Sequence, residues 1–365
     1  MRFSTFVFAA GIAISASSLF AQPAPADGPY KVINSAKVGG EGGFDYVYAD
    51  SDARKLFIVR SGRPGGRADA YDLDAVKLIG SVPGVNGGHG VASDPKSGHS
   101  FTSSSPVVMF DSKTLETIKT IPVTGRPDGI FYEPSTAHIF ILSHRAPNVT
   151  VLNGADGAIV GTIDLGGAPE EGASDGKGHV YIDVEDKDKV AVVDATTNQM
   201  TTAYPLDGKG SGPAGLALDA KNGIIFSYCH DPAVCVILNA ADGKILDTLP
   251  IGNGVDAAEF NPDTMEAFSS QGDGTLTIIK ENSPTSFAVE QTVKTKRGAK
   301  CSTLDIKTGR IYLTSDERAP ASRPAPQAAA VTGAPGAATR PAERRGGGRG
   351  AAVPGSFTIT VVGKE

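Results

Sequence analysis

The chain of 365 residues has no Trp and only three Cys, and beyond its first 21 residues it has no apolar run long enough to cross a bilayer. So little cysteine excludes a disulfide-built scaffold, and Cys229, Cys235 and Cys301 make neither a CxxC nor a Cys/His metal spacing. Also missing are a G-x-S-x-G elbow, an H-E-x-x-H pair, a phosphate-binding P-loop and a C-x-x-C-H haem attachment. Long amphipathic helical faces are few, while 45 Gly and 24 Pro punctuate the chain, which favours many short elements joined by turns and points to an all-β fold. With 40% hydrophobic residues the chain has ample core for one large domain or two ordinary ones.

The first 21 residues, MRFSTFVFAAGIAISASSLFA, carry one Arg, an apolar run and then small residues, the layout of a secretory signal peptide. Cleavage is expected after Ala21, or alternatively after Ala26 in PAPADG, giving a soluble periplasmic or secreted protein. Such a compartment tolerates disulfides, and Cys229 and Cys235 flank the tight turn HDPAV. Two readings stand: a bridge across a hairpin, or two small half-buried strand residues.

What the chain does contain is a repeat. Apolar segments of one type recur as LFIVR (56–60), SFTSS (100–104), IFILSH (139–144), VYIDVE (180–185), IIFSYC (224–229), EAFSSQ (266–271) and IYLTSD (311–316). Each is followed by a second apolar strand, such as VAVVDATT (190–197), and six of these by a third. Each is preceded by a strand that ends at an acidic or Asn turn residue: Asp50, Asp94, Glu133, Asp175, Asp219, Asn261 and Asp305, spaced by 44, 39, 42, 44, 42 and 44. Four strands per period near 40 residues is the signature of a β-propeller blade. The missing outermost strand of the seventh blade matches YKVINSAKVGG (30–40), so the N-terminal strand is expected to close the ring and remove an edge.

The stretches VYIDVEDKDKVAVVDATTNQM, GRPDGIFYEP, SGPAGLALDA and GVDAAEFNP resemble the YVTN-repeat (YncE-like) β-propellers of exported proteins. The resemblance covers roughly residues 30–316 and 356–365, and departs from the pattern in the first blade, with its long SGRPGGR loop, and in the interrupted last one. It implies a single propeller domain over 30–365, a fold that carries binding platforms, lyases, lactonases and redox scaffolds alike.

Between Asp316 and Ser356 the repeat stops. Residues 317–355, rich in Ala, Pro, Gly and Arg, lack the apolar surface to offset their ordering entropy and are expected to form a disordered insertion. They hold six Arg against two Glu, a net of +4 on a chain of net −6, so the remaining body carries −10. An acidic body disfavours nucleic acid, and the insertion has no interleaved aromatics for base stacking. The insertion is read as a solvated loop, or as a basic segment able to hold an acidic surface.

The repeat supplies an internal control for function. The seven turn residues recur and are structural, as are Asp72, Asp111, Asn153, Asp194 and Asn239 in the next turn. Five positions before each turn residue the chemistry varies: Asp45, His89, Asp128, Glu170, Ala214, Asp256 and Lys300. Innermost strands surround the channel, so these side chains are expected to ring its mouth. Loops on the same face add Arg63, Arg67, His144, Arg145, Glu185, Asp186, His230, Asp231, Asp273 and Asp316, whereas His99, His138 and His179 open strands on the opposite side. The serines at 103–105 are read as exposed loop residues.

Four carboxylates and a His at one opening could hold Ca²⁺ or Mg²⁺, or Zn²⁺ or Mn²⁺ if His89 joins Asp45, Asp128, Glu170 and Asp256. The expectation is a monomeric binding module that takes a small molecule or protein on its acidic channel face, through Asp45, His89, Asp128, Glu170, Asp256 and Lys300. The alternative is a metal-dependent hydrolase or lyase with His144 or His230 moving protons.

Overall fold

The computed structural model describes residues 27–62, 65–320 and 350–364, and the proposed signal peptide lies outside them. In these residues the middle strands are covered on both faces, those with polar residues such as EAFSSQ as well as the apolar runs such as KLFIVR. Lys55–Arg60, His179–Val184 and Glu266–Gln271 are buried almost throughout, whereas outer strands such as Leu78–Pro83 and Ile159–Ile163 are mostly exposed.

The described residues form seven four-stranded antiparallel sheets. Blades 1 to 6 are built in chain order from residues 47–83, 91–121, 127–163, 169–205, 211–250 and 255–294. Blade 7 takes Ser302–Asp305, Arg310–Ser315 and Thr358–Lys364 from the C-terminal part and Tyr30–Lys37 from the N-terminus, as the displaced repeat predicts. Each innermost strand packs against those of the blades on either side, so the ring is closed. Seven apolar clusters fill the seven interfaces between blades; one joins Phe140 and Leu142 of blade 3 to Val180 and Ile182 of blade 4. Fully burying one such side chain stabilises the fold by about 1.5–3 kcal/mol.

The closing strand is anchored at Tyr30, which is 2% exposed. Its ring meets Phe268 edge-on at 5.4 Å, its hydroxyl donates to Glu266, and its backbone N–H donates to Gln291 Oε1 at 3.0 Å. The recurring acids do the structural work expected of them. Asp94 Oδ1 accepts from the Lys96 N–H at 2.9 Å, Asp219 Oδ1 from Lys221 at 2.9 Å and Asn261 Oδ1 from Asp263 at 3.0 Å, each closing a turn.

One open choice is decided and two expectations are corrected. Cys229 and Cys235 are free thiols: Cys229 pairs with Val234 and Tyr228 with Cys235, so strand alternation sends the two sulfurs to opposite faces, into different interface clusters. Ser103 and Ser104 are buried, with the Ser103 hydroxyl accepting from the Gly90 N–H at 2.8 Å and Ser104 sharing a hydrogen bond with Thr102 at 2.6 Å. The proposed disordered segment is too wide, because its two ends are paired: Ala319 N–H donates to Ala351 at 2.9 Å and Val353 N–H to Glu317 at 2.8 Å, continuing the last hairpin outward. Its central part, 321–349, lies outside the described residues.

Candidate functional site

The channel-mouth residues owe their aim to a repeated irregularity. In blades 3 to 6 the pairing of the innermost strand shifts register between Pro127 and Ile130, Pro169 and Gly172, Pro213 and Gly215, and Val255 and Ala257. Asp128, Glu170, Ala214 and Asp256 sit inside these bulges, which release them from the ladder and turn their side chains. In blades 1, 2 and 7 the corresponding Asp45, His89 and Lys300 stand just before the strand begins.

These residues come together as an alternating chain of acids and bases rather than as one focus of carboxylates. Lys300 Nζ contacts Asp256 Oδ2 and lies 3.0 Å from Asp45 Oδ1. Asp45 Oδ2 is 2.7 Å from His89 Nδ1, and the same nitrogen is 3.1 Å from Asp128 Oδ1. His144 Nε2 then lies 3.1 Å from Asp128 Oδ2 and 2.9 Å from Glu170 Oε1. The order Asp256–Lys300–Asp45–His89–Asp128–His144–Glu170 runs through blades 6, 7, 1, 2, 3 and 4, with every side chain between 9% and 24% exposed. Ala214 supplies only a methyl group at the blade 5 position.

Burial and pairing pull the titrations apart. Burial would raise Asp45, but the His89 hydrogen bond and the Lys300 charge hold it well below the usual carboxylate range. Burial pushes Asp128 and Asp256 up and lifts Glu170 to about 7, against the opposing pull of their basic neighbours. The Glu170 carboxylate raises His144 to about 9, and His89 is raised by Asp45 and Asp128 in spite of its burial. The acids of the mouth thus alternate with Lys300 and with two histidines whose basicity the acids raise.

His230 does not join. It is exposed at the end of Ile224–Asp231, away from the chain of acids and bases. Arg67 is engaged with Asp69 at 2.8 Å, Arg145 is exposed, Asp186 accepts from the Ala168 N–H at 2.7 Å, and Asp273 accepts from the Asn253 N–H at 2.6 Å. Arg63 lies outside the described residues.

Sequence reasoning missed the groups beneath the mouth. Tyr46 places its hydroxyl 3.4 Å from Glu170 Oε2, and Cys301 places its sulfur 3.1 Å from Asp256 Oδ2. Burial pushes the Cys301 thiol well up, so it is no nucleophile. Glu171 Oε2 accepts from the N–H groups of Leu216 at 2.7 Å and Ala258 at 3.0 Å, tying blades 4, 5 and 6 together. Glu259 accepts from the Ser302 hydroxyl at 3.1 Å and Asp183 from that of Ser227 at 2.8 Å. Burial raises all three carboxyls, Glu259 to about 8. A signal was present for Asp183: a carboxylate inside the apolar run VYIDV must be buried and partnered.

Two spaces adjoin the chain of acids and bases. A cavity of about 160 Å³ in the channel is lined by Tyr46, Phe131, Glu171, Glu259 and Ser302. A wider cleft of about 920 Å³ opens over blades 6 and 7, lined among others by Phe44, Asp273, Lys296, Arg297, Lys300 and Arg318. Its size falls in the range that takes a small-molecule ligand.

Fold and mouth together define a seven-bladed β-propeller with a polar, charge-alternating channel face. No family model and no curated protein matches the chain. Among solved structures, the WD40 repeats of RRP9 match with a TM-score of 0.63 and 10% identity, over 80% of this chain and 91% of that one. At this identity the likeness concerns the fold alone. No helix among the described residues is long and apolar enough to cross a membrane.

Proposed function

We propose that the chain is an exported, monomeric propeller of the YVTN-repeat type that binds a small polar ligand at its channel mouth. One observation carries the reading: six blades contribute to a partly exposed line of alternating acids and bases, beside a cleft of about 920 Å³ that shares Lys300 with it. Such a line offers donors and acceptors at fixed spacings, which suits a ligand bearing both. Spread over the mouth, and with Lys300 seated between Asp45 and Asp256, the carboxylates favour a recognition surface over a single five-ligand metal centre. The repeat stretches support the YVTN assignment, and the N-terminal leader supports export.

The test is equilibrium dialysis of wild-type protein and of the D45N/D128N/E170Q variant against a small-molecule extract of the culture, read by mass spectrometry. Compounds retained by wild type and released by the variant support the reading. Equal retention, or none, overturns it. Cell fractionation with mass measurement of the mature N-terminus checks export, the expected start being residue 22 or 27.

A further inference from the structure

Three groups at the mouth bring together enough nitrogen, oxygen or sulfur atoms to hold a metal ion: Asp45–Asp256–Cys301, Asp45–His89–Asp128 and Asp128–His144–Glu170. They are not equivalent. The first is filled by the protein itself, since the Lys300 ammonium sits against both carboxylates. In the second, His89 Nδ1 makes a well-formed 2.7 Å hydrogen bond to Asp45 and so has a partner.

The third differs. His144 Nε2 is buried and lies 2.9 Å from Glu170 Oε1 and 3.1 Å from Asp128 Oδ2, so it shares an ion-pair contact with both carboxylates while meeting the angular requirement of a well-formed hydrogen bond with neither. A ring nitrogen this close to oxygens of two different side chains borders a space that all three share. Ligand atoms bound at about 2.1 Å to one cation are about 3.0–3.4 Å apart, the edge of an octahedron or a tetrahedron. The observed separations of 3.1 and 2.9 Å match the octahedral edge.

The outer contacts also fit. Asp128 presents Oδ2 to His144 while its Oδ1 faces His89 at 3.1 Å, and Glu170 presents Oε1 while its Oε2 faces the Tyr46 hydroxyl at 3.4 Å. Each carboxylate therefore has its second oxygen held by a neighbour, as outer-shell partners hold metal ligands. Gly129 permits the approach of blades 3 and 4, since a Cβ there would stand 2.4 Å from the Glu170 carbonyl oxygen.

From this geometry we infer that Asp128, His144 and Glu170 form a binding site for one divalent transition-metal ion, Zn²⁺ or Mn²⁺. One imidazole with two carboxylates suits these ions, whereas Ca²⁺ takes six to eight oxygens. Three protein ligands leave positions open toward the channel mouth. The inference does not depend on the polar-ligand reading, because the ion alone is the probe.

The experiment is titration calorimetry of EDTA-treated, dialysed full-length protein with ZnCl₂, MnCl₂ and CaCl₂, together with elemental analysis of untreated protein. The same measurements are made on H144A, E170Q, H230A and Y46F, each checked for folding by circular dichroism. Expected are one equivalent of Zn²⁺ or Mn²⁺, affinity reduced at least tenfold in H144A and E170Q, a smaller loss in Y46F, and no change in H230A. A stoichiometry of zero, equal affinity in H144A, or binding lost in H230A, which would mark an exposed histidine as the ligand, would each overturn it. Should H144A fail to fold, E170Q and the visible absorption of Co²⁺-loaded wild type, whose bands report nitrogen and oxygen ligation, decide the question.

Discussion

Two arcs of the channel mouth are built to the same plan and behave differently. On one side Asp256 and Asp45 flank Lys300; on the other Asp128 and Glu170 flank His144. Both place a base between two carboxylates, half-buried in the first arc and buried in the second. Lysine carries a charge that its neighbours raise still further above its ordinary value, so the first arc is a fixed salt bridge over the whole physiological range. Histidine can release its proton, and Glu170, with a value near 7, can take one up. The same frame thus yields a permanent brace on one side and an adjustable site on the other.

The sharpest way to break this comparison is to remove each base. Lys300→Met leaves Asp45 and Asp256 facing each other without their cation and should cost about 3 kcal/mol in denaturant unfolding. Adding Asp256→Asn should recover much of that loss. His144→Ala should cost no more than about 1.5 kcal/mol, because Glu170 can be neutral near pH 7. Equal costs would mean that the arcs are equivalent.

Gly129→Ala tests the frame of the adjustable arc alone. Its Cβ would collide with the Glu170 carbonyl, and separating blades 3 and 4 should cost about 2 kcal/mol while leaving the Lys300 arc unaffected. Thermal unfolding of G129A and of the G129A/K300M double variant checks this through additivity.

A pH series separates the arcs next. His144 is raised from its ordinary value to about 9, so its stabilisation is complete below about pH 6.5 and is lost as pH rises through 9. Glu170 and Glu259, raised from 4.5 to about 7 and 8, favour the folded state when protonated, and their contribution is lost as pH rises from about 4.5 through 7 and 8. Stability should therefore fall from about pH 4.5 to pH 9, and Glu259→Gln should flatten the part of the fall below pH 8 by about 1 kcal/mol. Lys300 should add nothing in this window. A stability curve flat to pH 9 would refute the assignment. At the small end, His230→Ala should lie within about 0.5 kcal/mol of wild type.

The seven-fold period, the closing strand and the turn acids were legible because each repeats, and a residue five positions before a repeated turn must fall at a repeated place. Six of the seven residues in the chain of acids and bases come from that count, and His144 from the loop that follows its strand. Which acid meets which base was not legible, since the pairs join different blades and depend on distances of a few ångströms. Nor was the aim of Asp128 or Glu170, because a bulge breaks the two-residue alternation from which side-chain direction is read. Glu171 escaped notice as the neighbour of Glu170, and Cys301 as the neighbour of Lys300. The two cysteines of blade 5 left two readings open because closeness in sequence says nothing about which face of a strand each side chain takes.

The strand that closes the ring has a consequence for the order in which the molecule can be made. Tyr30–Lys37 finds its strand partner in Thr358–Lys364, more than 300 residues away. A polypeptide emerging from a ribosome holds this strand unpaired until residues 358–364 have arrived. Blades 1 to 6 are each local and can assemble as they emerge, but the last step is a contact of almost maximal sequence separation, which makes it slow to form. Until then, an exposed strand edge is open to a second copy of the chain.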